Sequence, residues 1–195
     1  MTRDKILQAA RELFEEKGFD FASVRDIAAK ADVNVALINY HFGSKESLLA
    51  ALIEDMATLM HVKLSDISNS NAGPEEKLFQ TVELVLERIF ENKKYYQMIH
   101  RELSTVQRPA LNQKISKTLR RNRDVIKKII EEGQQKKVFR KDIDTELTIG
   151  TMFGLIYQAT NAGLKLNITP SDDESIKIRV KKHLWDMLTC FLLKK

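Results

Sequence analysis

A single cysteine, Cys190, leaves this chain without a partner thiol for an internal disulfide and without the ligand set of a Cys-based zinc site. The expected compartment is therefore a reducing one. Proline and glycine are scarce, three and seven among 195 residues, and β-branched residues seldom alternate with polar ones, so helices are interrupted in few places and strands have little to build on. No apolar run approaches the ~18 residues that a membrane-spanning helix requires, and the N-terminus lacks the apolar core of a secretion signal. No membrane partner and a cytoplasmic location are expected. Also missing are G-x-S-x-G, H-E-x-x-H, a Walker loop and any paired-acid arrangement, which argues against an enzyme. The four histidines, His41, His61, His100 and His183, are isolated from one another, so no metal site, catalytic residue or cofactor is expected.

What is present is enough apolar material, 43% of residues, to fill the core of one moderate domain or of a small domain joined to a larger one. The formal net charge of +5 is unevenly placed. Residues 1–48 carry seven Lys or Arg against eight Asp or Glu, while the positive excess lies between residues 114 and 141, where KISKTLRRNRDVIKK reads as a solvated helix face. Bulk charge does not mark the N-terminal segment as a nucleic-acid surface.

Local chemistry does. Ile6, Ala9, Ala10, Leu13 and Phe14 place a first helix over residues 2–17, with Gly18 as its stop. Ser23 can cap a short helix, with Asp26 three residues on as its capping-box partner, and Asp32 stands where that helix must turn through left-handed backbone. Asn34 caps the next helix, and Val33 and Ile38 flank that cap at the spacing of a hydrophobic staple, which fixes the exit angle. Helices of about eight residues do not hold themselves in water, so the first helix must cover both. The result is a helix-turn-helix that aims one short helix outward, as groove reading requires.

Further on, Gly43 ends the third helix and Ser44 caps a fourth over residues 45–67, which at about 1.5 Å per residue extends over about 30 Å. The tract SNSNAGP at 68–74 breaks the chain, and Pro74 starts a helix to Glu91. After the aromatic segment KKYYQMIHRELSTV, a long helix runs from Pro109 to an expected stop at Gly133. The segment ELTIGTMFGLIYQATNAGLKL is apolar nearly all round, hence expected to be buried on several sides, and Ser171 or Asp172 begins a last helix.

The runs ILQAARELFEEKGF, SVRDIAAKADVN and LINYHFGSKESLL, in that order over about the first 50 residues, resemble the N-terminal DNA-binding domain of the TetR/AcrR family of bacterial transcriptional regulators. The resemblance implies an all-α fold of about nine helices, with a three-helix helix-turn-helix DNA-binding domain at 1–48 and a helical ligand-binding and dimerisation domain at 49–195. It implies a homodimer on a palindromic double-stranded DNA operator, most often a repressor released by a small apolar effector. A constitutive regulator or interaction module without a ligand is the alternative.

Carried over by position, the DNA-binding residues are Ser23, Arg25, Val35, Ala36, Leu37, Asn39, Tyr40, His41 and Lys45. Val35, Ala36 and Leu37 start the reading helix and are apolar, able to meet thymine methyls but not to make bidentate hydrogen bonds, so specificity shifts toward Arg25 and DNA shape. Asn39, Tyr40, His41 and Lys45 suit phosphates. The usual family pattern has Tyr at the position of Asn39 and Gly at that of Asp32. For the ligand, Met60, Phe90, Tyr95, Tyr96, Met98, Ile99, His100, Met152, Phe153 and Tyr157 offer an apolar wall with polar tips. For the dimer contact, Gly150 and Gly154 permit close helix approach, with Leu184, Trp185, Leu188 and Phe191 on the last helix.

Overall fold

The computed structural model describes residues 2–161 and 172–193. Its helices are α1 (Thr2–Lys17), α2 (Val24–Ala31), α3 (Val35–Phe42), α4 (Lys45–Asn69), α5 (Pro74–Glu91), α6 (Lys93–Ser104), α7 (Pro109–Gln135), α8 (Thr145–Thr160) and α9 (Asp173–Leu192). The all-α expectation is met among the described residues, where β pairing is limited to an isolated bridge between Phe139 and Leu193. No described helix is long and apolar enough to cross a membrane. Ser171 lies outside the described residues, and α9 is capped by Asp172, whose carboxylate accepts the Ser175 N–H at 2.9 Å.

Two compact units emerge, one of Met1–Leu59 with Lys94–Arg120, the other of Met60–Lys93 with Arg121–Lys195. This grouping cuts across the boundary expected at residue 48. The reason is α6, whose Tyr95, Met98 and Ile99 enter the same core as Ile6 and Phe14 of α1, Ile27 of α2, Ile38 of α3 and Leu49 and Ile53 of α4. Burying these side chains, each worth roughly 1.5–3 kcal/mol, is what holds the short α2 and α3 in place.

In the second unit, α9 packs on α5 and α8. The buried ammonium of Lys77 donates to Ser68 O at 2.8 Å and to Glu132 at 3.0 Å, tying α5 to the end of α4 and to α7. Gly133 does not end α7 as the sequence suggests. The helix continues to Gln135 and turns at Lys137, whose φ is 61°. Gly133 instead makes room for the buried Phe139 ring, which would lie 2.0 Å from any Cβ there. A second correction concerns α8, which is open along one face: Leu147 is 70% exposed, and Gly150, Thr151 and Gly154 are exposed with it.

Candidate nucleic-acid interface

The α2–α3 pair is built by its caps. Ser23 Oγ accepts the Asp26 N–H at 3.1 Å and the Asp26 carboxylate accepts the Ser23 N–H at 3.2 Å, the reciprocal box expected. The Ser23 side-chain hydrogen bond, then its backbone N–H, hold the Asp26 carboxyl below its usual range. Asp32 turns left-handed at φ 52°, and the Val33 N–H reaches Ala28 O at 3.0 Å, closing α2. Asn34 Oδ1 then accepts the Ala36 N–H at 2.9 Å, and Gly43, at φ 75°, sends its N–H to Asn39 O at 2.9 Å. Both ends of α3 are thus satisfied without help from outside.

Between those ends, Ile38 is buried as an anchor while Val35 and Phe42 rest half-buried on the core. Ala36, Leu37, Asn39, Tyr40 and His41 face solvent, Tyr40 at 82% exposure. Arg25 on α2 is exposed and makes no ion pair among the described residues, whereas Lys30 on the same helix pairs with Glu12 at 2.8 Å. A narrow face combines small apolar groups, one unpaired cation and several hydrogen-bonding tips. That mixture fits a major groove edged by phosphates.

Two expected contacts have other work. Ser23 spends its hydroxyl on the cap. Lys45, expected to meet phosphate, donates instead to Phe19 O at 2.8 Å and Ala22 O at 3.2 Å, and its ammonium lies 4.4 Å from the Phe19 ring centroid. Three nearby acceptors hold it on the α1–α2 loop. Ser44, its neighbour, caps α4 by accepting the Ser47 N–H at 3.1 Å.

The expected ligand residues are divided between the units. Tyr95, Met98 and Ile99 are core residues of the first, with Tyr96 edge-on to Tyr95 at 5.2 Å, and burial pushes the Tyr95 hydroxyl well above its usual pKa. His100, expected as a polar tip of the wall, is exposed. In the second unit Met152 is buried, Met60 and Phe153 are half-buried, and the half-buried Tyr157 accepts the Asn161 side-chain amide at 2.8 Å. Phe90 borders a hollow of about 340 Å³ whose other walls are Glu87, Glu91, Asp173, Glu174 and Lys177. Its lining is acidic, unlike the apolar wall expected. Among the described residues no group of three or more His, Cys, Asp or Glu side chains forms a metal cage.

Comparison with known proteins agrees with the helix-turn-helix geometry. A family profile described as "Bacterial regulatory proteins, tetR family" matches residues 6–52, and one described as "Tetracyclin repressor-like, C-terminal domain" matches residues 71–161. The chain is 32% identical over 142 residues to the "Probable HTH-type transcriptional regulator YttP" of Bacillus subtilis, covering 71% of this chain and 67% of that protein. The chain belongs to the TetR family. It is a DNA-binding transcriptional regulator. Another relative is the HTH-type transcriptional repressor NicS of Pseudomonas putida, 30% identical over 151 residues, 73% of this chain and 68% of that one. Among solved structures, the regulator FadR from Bacillus subtilis in complex with stearoyl-CoA shares the fold at a TM-score of 0.78, with 23% identity over 92% of this chain and 96% of that chain.

For a TetR-family chain the candidate dimer residues take different places. Leu184 and Leu188, expected at a subunit contact, are 0% and 2% exposed inside the second unit, because the face of α9 that carries them packs inward. Trp185 is half-buried, edge-on to Phe79 at 4.9 Å. Gly150, Gly154 and Phe191 are exposed, and the first two have nothing within 4 Å of an added Cβ. Sequence reasoning missed Leu147 and Thr151 on the same face of α8 and the exposed Ile178 on α9. The signal was there: 147, 150, 151 and 154 follow the helical spacing of one stripe.

Proposed function

We propose that this regulator is a homodimeric repressor that binds a palindromic operator and is released by a small apolar effector. The observation that carries the DNA half is the face of α3, held by a cap at each end and open at Ala36, Leu37, Asn39, Tyr40 and His41. Ala36 and Leu37 meet thymine methyls, Arg25 reaches a base edge or backbone, and Asn39, Tyr40 and His41 hold phosphates. Two such heads on one dimer read half-sites about 34–36 Å apart, one turn of DNA. The open stripe of α8 with Phe191 of α9 serves as the self-complementary contact.

Release works by linkage. An effector that prefers the conformation with misplaced heads weakens DNA binding by its differential affinity for the two states. The continuous helix α4, which begins three residues after α3 and ends at Asn69, transmits the change. The NicS relative, named a repressor, and the FadR structure with its acyl-CoA support this reading. The test is binding of purified protein to promoter fragments, including the region upstream of its own gene, in low salt, with native mass spectrometry for a co-purified molecule. Binding that weakens as an apolar ligand is added supports the proposal. No binding to any fragment overturns it, and binding that no ligand alters favours a constitutive regulator, in which Tyr95, Met98, Ile99 and Met152 are plain core.

A further inference from the structure

Within the first unit, the α1–α2 loop of residues 18–22 is gripped by two cations. Lys45 holds its carbonyls at Phe19 and Ala22, as described. Arg108, from the turn between α6 and α7, places its guanidinium 4.7 Å from the centroid of the buried Phe19 ring and donates through Nη1 to Asp20 Oδ1 at 2.8 Å. Its Nε and Nη2 both donate to Glu102 Oε2, at 3.2 and 2.8 Å. Glu102 is only 2% exposed. A carboxylate so buried is costly when unpaired, which confines the guanidinium to one place.

The turn that carries Arg108 is itself braced. Asn112 Nδ2 donates to Thr105 O at 2.5 Å and Thr105 Oγ1 to Arg101 O at 3.0 Å, while Arg101 Nη1 lies 3.2 Å from the position of a Cβ on Gly18. Both ends of the reader meet at the gripped loop. Ser23, the cap of α2, follows it directly, and Lys45 follows α3 by way of Gly43 and Ser44. A shift of the loop therefore reaches α2 from one side and α3 from the other.

We propose that Arg108 is a positioning residue for DNA recognition: anchored by the buried Glu102 of α6, it clasps the α1–α2 loop through Asp20 and Phe19 and sets the angle of the α2–α3 reader. The inference rests on the operator-binding reading and adds to it a control point about 70 residues from α3 in sequence. Lysine cannot replace Arg108 here, because one ammonium does not serve Glu102, Asp20 and the Phe19 ring with the planar fork of a guanidinium.

The test compares wild type, Asp20→Asn and Arg108→Lys in thermal melting, amide hydrogen exchange and binding to a DNA fragment selected by the wild type. Asp20 is 62% exposed at its side chain, so Asp20→Asn leaves melting nearly unchanged. It speeds exchange over residues 24–42, leaves α5 and α9 as they were, and weakens DNA binding about fivefold, the low end of ordinary coupling between sites. Mere removal of a negative charge has the opposite sign, since it tightens attraction to DNA. Arg108→Lys reproduces the faster exchange over residues 24–42 and the weaker DNA binding but also lowers melting, because the buried Glu102 loses part of its pairing, and Asp20→Asn adds little on top of it. Exchange over residues 24–42 that stays at the wild-type rate in Asp20→Asn overturns the clasp whether or not DNA is bound. Wild-type protein that selects no DNA overturns the operator reading, and exchange then decides the clasp alone.

Discussion

Helices α3 and α8 are both rich in apolar residues and both leave some of them in water, yet what surrounds those residues differs. On α3 the exposed Leu37 and Tyr40 alternate with Asn39 and His41, and the helix is only eight residues long with a satisfied cap at each end. On α8 the open stripe is Leu147, Gly150, Thr151 and Gly154, and the one hydroxyl in it is turned back to its own helix, Thr151 Oγ1 donating to Leu147 O at 2.9 Å. A face that keeps free polar tips suits a polyanion with a polar groove. A face that has hidden its polar group and kept two notches suits another apolar helix. The same exposed hydrophobicity thus suits a polar groove in one place and, under the proposed dimer, an apolar partner face in the other.

Substitutions at Gly150, Tyr40, Arg25, Ala36 and Asn34, and a change of pH, can break or sharpen that contrast. Gly150→Glu should do most: with open space around an added Cβ the subunit still folds, but a charge in the notch leaves a monomer in sedimentation, and loss of paired heads lowers operator affinity about a hundredfold. A dimer that survives it removes α8 from the contact. Tyr40→Ala should weaken binding about tenfold on every sequence tested, the scale of one hydrogen bond to a charged group, with melting unchanged. Replacing Arg25 or Ala36 should instead alter which sequence is preferred, and a uniform loss from these as well would mean that α3 does not read bases. Asn34→Ala should cost about 1 kcal/mol of helix stability in chemical denaturation, since the Ala36 N–H loses its acceptor.

The smallest effect is one of pH. The Asp26 carboxyl is held below its usual range by Ser23, so the capping box stabilises α2 above the carboxyl's unfolded value near ~3.9 and loses that contribution as pH falls through the lower folded value. An NMR titration of the Ser23 and Asp26 amides should show it, and Ser23→Ala should reduce it, leaving only the part due to the backbone N–H at position 23. A titration at the ordinary carboxylate value in wild type would mean that the box does not form in solution.

Much of α1 to α4 was legible because its signals are local. Ser23, Asp26, Asp32, Asn34 and Gly43 each bond within a few residues of themselves, so order and spacing carry the geometry. Gly133 shows the limit of that logic: a glycine near a helix end resembles a stop, but this one is required by a ring six residues away that folds back on it. Lys45 shows a related limit, since the carbonyls that hold its ammonium lie on a loop more than twenty residues earlier. Leu184 and Leu188 share an apolar stripe of α9 with Phe191 in the sequence, which does not say how much of that stripe the subunit's own core takes: the two leucines are buried and Phe191 is left exposed.

The sequence by itself determined the family, the all-helical class, the capped helix-turn-helix and its apolar reading face, because short-range hydrogen bonds and helical periodicity act between residues near in the chain. Only the tertiary structure decided that α6 belongs to the same core as α1, that Glu102 and Arg108 grip the loop before α2, and that α8 opens Leu147, Gly150 and Gly154 to solvent. These depend on which surfaces of long helices meet, and that choice is made by packing a whole core at once.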